Sequence, residues 1–442
     1  MSNFQIILLA VFGLAIIAGL VLFAALGGGG RQELSEVVLW GSVKADDMAE
    51  AVSDLNFKES KTLRLKYVEK DARTLDEELL EALAAGRGPD LAILPSDSIL
   101  RHRDKLFPIP FASFSERSFK SFFVEGGEVF LGQGVIYALP MFVDPLILYW
   151  NRDLLSDVAV ASPPATWEEV VTLSPKLSDS DRNGNVAVSA IALGEARNVT
   201  NFKEILSALF LQAGTSIVAE ESGYLLSVLD RKAERRVPAE EALAFYTSFS
   251  NPRRDNYAWN RSLPASRDFF LAGDLALYLG LGSEAELLKA SNPNLNFDVA
   301  ELPLLSPGRR RITFGRVMGA AIIKSSRNLA AASRAAGLLS SADFLGQVSK
   351  FSSLAPAARS LLAAPPERVS PDGRVAGAGE ASRETVYRAA LRARSWLDPA
   401  PAESRRLFAE MIEAVGSGEK SVSEAVKRAS LEISELVGRY NP

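Results

Sequence analysis

The stretch Tyr137-Ala138-Leu139-Pro140-Met141-Phe142-Val143-Asp144-Pro145-Leu146-Ile147-Leu148-Tyr149-Trp150-Asn151-Arg152-Asp153-Leu154-Leu155 constrains this chain more than any other. It reads as a proline-interrupted apolar strand, a second apolar strand, and an Asn-Arg-Asp turn. Proline carries no backbone N–H, so Pro140 and Pro145 each remove a ladder donor, an awkward loss for an ordinary core strand. The pattern suits a crossing, where the chain leaves one lobe and enters another. A glycine-containing extended run, Ile312 to Ile323, is the candidate return crossing.

A chain of 442 residues is long enough for two or three lobes. Its 48% hydrophobic and 23% charged fractions are those of a globular protein with a sizeable core. A net charge of -5 argues against a general nucleic-acid binder, which presents a basic face. Cysteine is absent, which excludes disulfides, thiolate metal sites, cysteine nucleophiles and a lipid-bearing cysteine.

Phe4 to Leu26 is almost wholly apolar, with Gln5 its only polar side chain. As a helix it reaches about 34 Å, enough for a hydrocarbon core of about 30 Å. That length favours an uncleaved anchor over a signal peptide, although Ala25-Leu26-Gly27 also fits a small-x-small cleavage site. Gly27 to Gly30 then forms a flexible spacer. Charge alone weakly favours a cytosolic domain, because Arg31 lies after the span and no Lys or Arg precedes it.

Strands then alternate with helices. Val37–Trp40 is a short apolar strand, Ala45–Phe57 an amphipathic helix, Leu63–Tyr67 an alternating strand, and Asp90–Leu94 a third. The intervening helix opens at Thr74 with Glu77 as a capping box and closes at Gly86 and Gly88-Pro89. This rhythm implies a parallel α/β sheet. Beyond the crossing, Thr166 and Glu169 cap a helix that begins with Trp167, read as a packing residue. Later come a strand from Val186 to Leu193, helices over 201–213, 239–249 and 267–271, and a buried strand Leu275–Leu279. A helix over 329–339, a mobile Pro/Gly/Ala-rich loop over 363–381, and terminal helices near 402–415 and 422–437 complete the chain.

Chemical signals point away from catalysis. A Ser-His-Asp triad or zinc site would have to use His102, which lies in the charge run Arg101-His102-Arg103-Asp104-Lys105 and reads as part of a solvated face. Asp179-x-Asp181-x-Asn183-Gly184-Asn185 imitates an EF-hand start, but its twelfth position is Ala190, so it reads as an Asx-stabilised turn. A carboxylate-pair hydrolase is the distant third reading. No phosphate-binding Gly-x-x-x-x-Gly-Lys-Ser/Thr occurs, and the turn after the first strand is not Gly-x-Gly-x-x-Gly. No cofactor and no metal are expected. In open α/β sheets ligands lie beyond the carboxyl ends of the strands, here Trp40-Gly41-Ser42-Val43 and Pro95-Ser96-Asp97. Trp40, Tyr149, Trp259, Tyr278 and Trp396 lie near strand ends, crossings or loops, where aromatic faces stack on a small ligand. Each alone also has a core reading, and Asp144 reads equally as the cap of a strand-to-helix turn.

Several segments taken in order resemble the extracellular solute-binding proteins of ABC importers, the maltose-binding-protein-like group. Tyr137–Leu155 is similar to "glPysvDtlalyYNkdlf", Trp40-Gly41 to "vWg", and Gly86–Asp90 to "gkgPDv". Ala165–Glu169 resembles "pkTwdE", and Asp181–Gly194 resembles "d.nGn..giAlG". Phe269–Leu277 resembles "aFl.GkaAm", and Gly416–Ala425 resembles "sGkktveeAl". The set covers about 40–440.

The resemblance implies an α/β, two-lobe periplasmic-binding-protein-like fold of type II, here with an N-terminal transmembrane helix. It divides the chain into anchor and linker (1–31), a first lobe (32–140 and 320–356) and a second (141–319 and 357–442). By matching position it implies Trp40, Ser42, Ser96, Asp144, Trp259, Ser283, Arg316 and Trp396 as ligand contacts in an interlobe cleft that closes like a hinged trap. It further implies a small-molecule ligand, a sugar or oligosaccharide, ABC permease subunits as partners, no nucleic acid, a monomer, and an extracytoplasmic domain. A sensor or adhesion module with the same fold is the alternative. The chain departs from the pattern in lacking the lipid-attachment cysteine and in carrying Trp150 where tyrosine is usual.

Overall fold

The computed structural model describes residues 34–180, 186–306, 308–363 and 380–441. The Phe4–Leu26 span, the Asp181–Asn185 part of the calcium-like loop and most of the 363–381 loop lie outside the described residues. Among the described residues no helix is long and apolar enough to cross a membrane.

In chain order the elements that position the candidate residues begin with β1 (Ser35–Gly41), α1 (Ala45–Lys58), β2 (Leu63–Glu69), α2 (Leu75–Ala84) and β3 (Leu91–Pro95). They continue with β4 (Leu139–Asn151), α3 (Trp167–Leu177), β5 (Val186–Ile191), α4 (Phe202–Ala213), β6 (Leu275–Leu281) and α5 (Glu284–Ser291). The last are β7 (Phe297–Ala300), β8 (Thr313–Ile322), α6 (Leu329–Leu339), α7 (Pro401–Gly416) and α8 (Val422–Gly438). The chain forms two compact units, Met1–Val143 with Arg316–Glu380 and Asp144–Gly315 with Ala381–Pro442.

In the first unit β1 lies between β2 and β3, parallel to both, paired from Ser35↔Leu63 to Gly41↔Glu69 and at Leu39↔Leu91. The later half of β8 runs antiparallel to β3, from Met318↔Pro95 to Ile322↔Leu91. Strict alternation in Leu63-Arg64-Leu65-Lys66 gives β2 one buried and one exposed face. Asn56 of α1 pairs with the backbone of Leu65 in both directions, at 2.9 and 2.6 Å, and so covers the edge of that strand. Gly86 ends the turn after α2 with φ +67°, where glycine has no Cβ penalty, and Arg87 N–H returns to Ala82 O at 2.9 Å. The capping box expected at Thr74 does not form. Thr74 makes no side-chain cap bond, and its hydroxyl donates to Glu78 at 2.7 Å, one residue beyond Glu77.

In the second unit β4 is flanked by β6 and β7, antiparallel to both, and β5 runs parallel to β6. Trp167 lies in the packing, as read: it is buried, its indole donates to Gln212 at 2.7 Å, and Thr166 caps its helix. Ser421 and Glu424 form a full capping box at α8.

The proline-rich stretch is one continuous buried strand rather than two. Pro145 falls just outside the ladder to β6. In the first unit Val143 and Phe142 pair with Ala355 and Pro356, and in the second the ladder to β6 starts only at Leu146. Pro145 contributes just its carbonyl, which accepts from Gly282 N–H at 2.9 Å. The chain passes from the first unit to the second after Val143, within β4, and back after Gly315, within β8.

Candidate functional site

In the first unit the candidates gather at the carboxyl ends of β1 and β3. Trp40 is half-buried, with the Lys70 ammonium 4.1 Å from its ring centre. The next residue is a close-packed glycine: a Cβ on Gly41 would stand 2.9 Å from Ile93 Cδ1, so a larger residue would have to displace that side chain. Ser42 follows on the same turn, half-buried. Tyr67 O–H donates to Val43 O at 2.5 Å, and the Glu69 carboxylate accepts from Ala45 N–H at 2.7 Å, which ties this turn to β2. Burial pushes the Tyr67 phenol far above its ordinary range, so it stays a donor. At the end of β3, Ser96 is buried and its N–H donates to Val317 O at 2.8 Å; Arg316, the preceding residue of β8, is exposed.

In the second unit Asp144 and Ser283 are brought together as partners. Asp144 is buried, one of its oxygens accepts from Ser283 N–H at 2.9 Å and the other from Ser283 O–H at 2.6 Å. The carboxylate therefore fixes the strand-to-helix turn at the start of α5. Glu284, also buried, takes Leu281 N–H and Asn201 Nδ2 on one oxygen, and Tyr278 O–H and Arg267 Nε on the other, all within 2.6–2.9 Å. A Cβ on Gly282 would stand 3.0 Å from Val386 Cγ1, so this turn is packed tightly against that side chain.

Expectations change at four residues: Tyr149 and Tyr278 are fully buried, with hydroxyls that donate to Leu281 O and Glu284 at 2.6 Å, and Trp259 and His102 also differ. Trp259 has no exposed surface: its indole N–H donates to Asn198 Oδ1 at 2.9 Å and Phe269 packs edge-on against it, so it is core rather than a platform. Asn198 is itself fixed by the carbonyls of Asn260 and Leu263, both at 2.9 Å. His102 does not belong to a solvated face. It is 1% exposed, with Nε2 3.0 Å from Asp76 Oδ1, because the short turn 99–102 points it inward. Burial raises the Asp76 carboxyl, but His102 and Arg101 outweigh it and hold the group below its ordinary value.

Trp396 is 5% exposed and lies parallel to Phe408, with centroids 6.1 Å apart. Lys203 of α4 reaches toward it, 5.5 Å from the ring centre, while forming a buried ion pair with Asp398. Asp398 also accepts from Ser404 O–H at 2.6 Å.

Two residues escaped the sequence reading. Lys70 follows β2 and carries no motif, although its place one residue past a strand end was a usable signal. Glu195 follows β5; burial raises its carboxyl, and Arg261 at 3.4 Å only partly offsets this. Among the described residues no three His, Asp or Glu side chains form a metal-binding group.

A family model described as "Bacterial extracellular solute-binding protein" matches residues 45–343. A putative binding protein of Brucella abortus is 22% identical over 329 residues, 71% of this chain and 73% of that protein. Among solved structures, the cyclic α-maltosyl-1,6-maltose binding protein from Arthrobacter globiformis superposes with a TM-score of 0.72 at 16% identity, covering 92% of this chain and 99% of that one. A cyclo/maltodextrin-binding protein complexed with maltotetraose gives 0.70 at 18% identity, covering 93% and 98%. The sugar-binding protein MalE from Xanthomonas citri gives 0.68 at 20% identity, covering 92% and 98%.

Proposed function

The chain belongs to the bacterial extracellular solute-binding proteins, a family of binding proteins rather than enzymes, and we propose that its solute is a sugar or oligosaccharide delivered to an ABC permease. The observation that carries the ligand class is Trp40, a half-buried indole at the carboxyl end of β1, with Ser42 two residues further along the chain and Ser96 just past the carboxyl end of β3. An aromatic ring stacks on the apolar face of a sugar, and hydroxyls and carboxylates hold its polar rim. The solved structures similar in fold support the same class, since their names include maltotetraose and cyclic α-maltosyl-1,6-maltose.

The contacts we propose are Trp40, Ser42, Ser96 and Arg316 in the first unit, and Ser283 and Trp396 in the second, with Asp144 acting through Ser283. Trp259 is withdrawn from the set. Membership of an extracellular family supports an extracytoplasmic domain, and the apolar Phe4–Leu26 segment supports a membrane tether.

The test is a thermal-shift screen of the full chain against maltotetraose, cyclic maltodextrins, monosaccharides, peptides and polyamines. A ligand at a hundred times its Kd adds about 2.7 kcal/mol of stability. A glycan is expected to raise the Tm by several degrees; a shift with a peptide or polyamine and none with any glycan overturns the assignment.

A further inference from the structure

The carboxyl end of β2 holds the turn after β1 at three successive points. Tyr67 and Glu69 bond its backbone at Val43 and Ala45, and Lys70 holds its tryptophan. The third contact is unlike the others because its donor is itself anchored. Lys70 Nζ donates to Glu78 Oε2 at 2.6 Å, and the other oxygen of Glu78 accepts from Thr74 O–H at 2.7 Å. Thr74, Glu78, Lys70 and the Trp40 ring thus form one chain of contacts from the start of α2 to the end of β1.

A leucine at position 70 would cover the indole equally well but would have no fixed position along it. An ammonium pinned by a carboxylate has both a place and an attraction for the ring face. The Lys70 side chain is 21% exposed, so the contact is partly shielded from water, where such an attraction is stronger. The Glu78 carboxyl is held below its ordinary range, first by Lys70 and then by Thr74, which agrees with a persistent pair.

We propose that Lys70, held by Glu78, is a positioning residue that fixes the orientation of Trp40 and thereby sets the affinity for solute. The first part stands on the contact geometry, and the second rests on the carbohydrate reading given above. Lys70 touches no ligand in this scheme; it acts through the indole.

The experiment uses the full chain labelled with 5-fluorotryptophan, the Trp40 resonance being identified by its loss in Trp40→Phe. Without ligand, that resonance shifts and broadens in Lys70→Met and in Glu78→Gln, and stays near its wild-type position in Lys70→Arg. The four other tryptophan resonances report that each variant is folded. With maltotetraose as the probe, Lys70→Met weakens binding roughly threefold to tenfold, Lys70→Arg remains within about twofold of wild type, and Lys70→Met adds nothing once Trp40 is Phe. An unmoved Trp40 resonance in Lys70→Met overturns the proposal, as does an equal loss of affinity with and without Trp40. Movement of the resonance in a chain that binds no glycan upholds the positioning role and brings down the carbohydrate reading instead.

Discussion

Trp40 in the first unit and Trp259 in the second share one sequence argument, that of a large amphipathic ring near a strand end or loop, yet they reach opposite environments. Trp259 has a neighbour, Asn198, whose amide oxygen takes the indole proton, so the whole ring can be buried without an unsatisfied donor. Trp40 remains half-buried, with a lysine against its ring. The carboxylates divide similarly. Asp144 in the second unit is consumed by its own turn and Glu284 by that turn together with Asn201, Tyr278 and Arg267, whereas Glu78 in the first acts on a lysine that faces a candidate contact. A ring becomes core when its own unit supplies a partner for its polar tip.

The contrast predicts separate costs for stability and binding. Trp259→Ala removes a fully buried indole and should cost about 3–5 kcal/mol in urea unfolding. Asp144→Ala strips both acceptors from Ser283 in a buried turn and should cost about 1–3 kcal/mol, with Asp144→Asn recovering part of it. Trp40→Ala should cost less than roughly 1.5 kcal/mol, because the ring is only half-buried, while weakening glycan binding more than either of the others does among folded molecules. If Trp40→Ala unfolds the chain as readily as Trp259→Ala, the distinction between platform and core fails.

The fold was largely legible because its signals are local. Alternation in Leu63–Tyr67, the cap at Thr166 and the helical spacing of the last two helices each specify their own conformation. The site was less legible because it depends on partners distant in sequence. Nothing around Trp259 announces that Asn198 will accept its proton, and nothing in the Arg101–Lys105 charge run announces Asp76 as the partner that buries His102. The single strand through Pro140 and Pro145 illustrates the same limit. Proline excludes a ladder donor, but only the register shows that the ladder to β6 begins at Leu146 and leaves Pro145 to accept from Gly282.

The two units also contain carboxyls displaced in opposite directions, which gives the smallest and most selective test. Asp76 in the first unit lies below its ordinary value near 3.8, because His102 and Arg101 overcome its burial. Its contribution is present above that value and is lost as the pH falls through the depressed one. Glu195 in the second unit lies above its ordinary value near 4.5, because burial outweighs Arg261. Its ionisation therefore opposes folding: stability is fully present below 4.5 and is reduced as the pH rises through the raised value. Glu195→Gln should thus be more stable than wild type at pH 7, with the gain disappearing on acidification below 4.5. Asp76→Asn should be less stable at pH 7, with the deficit narrowing as the pH drops below 3.8. Urea unfolding of both variants and wild type across pH 3–7 measures these slopes. Parallel curves for Glu195→Gln and wild type would show that Arg261 fully cancels the effect of burial on that carboxylate and that the electrostatic contrast between the units is not real.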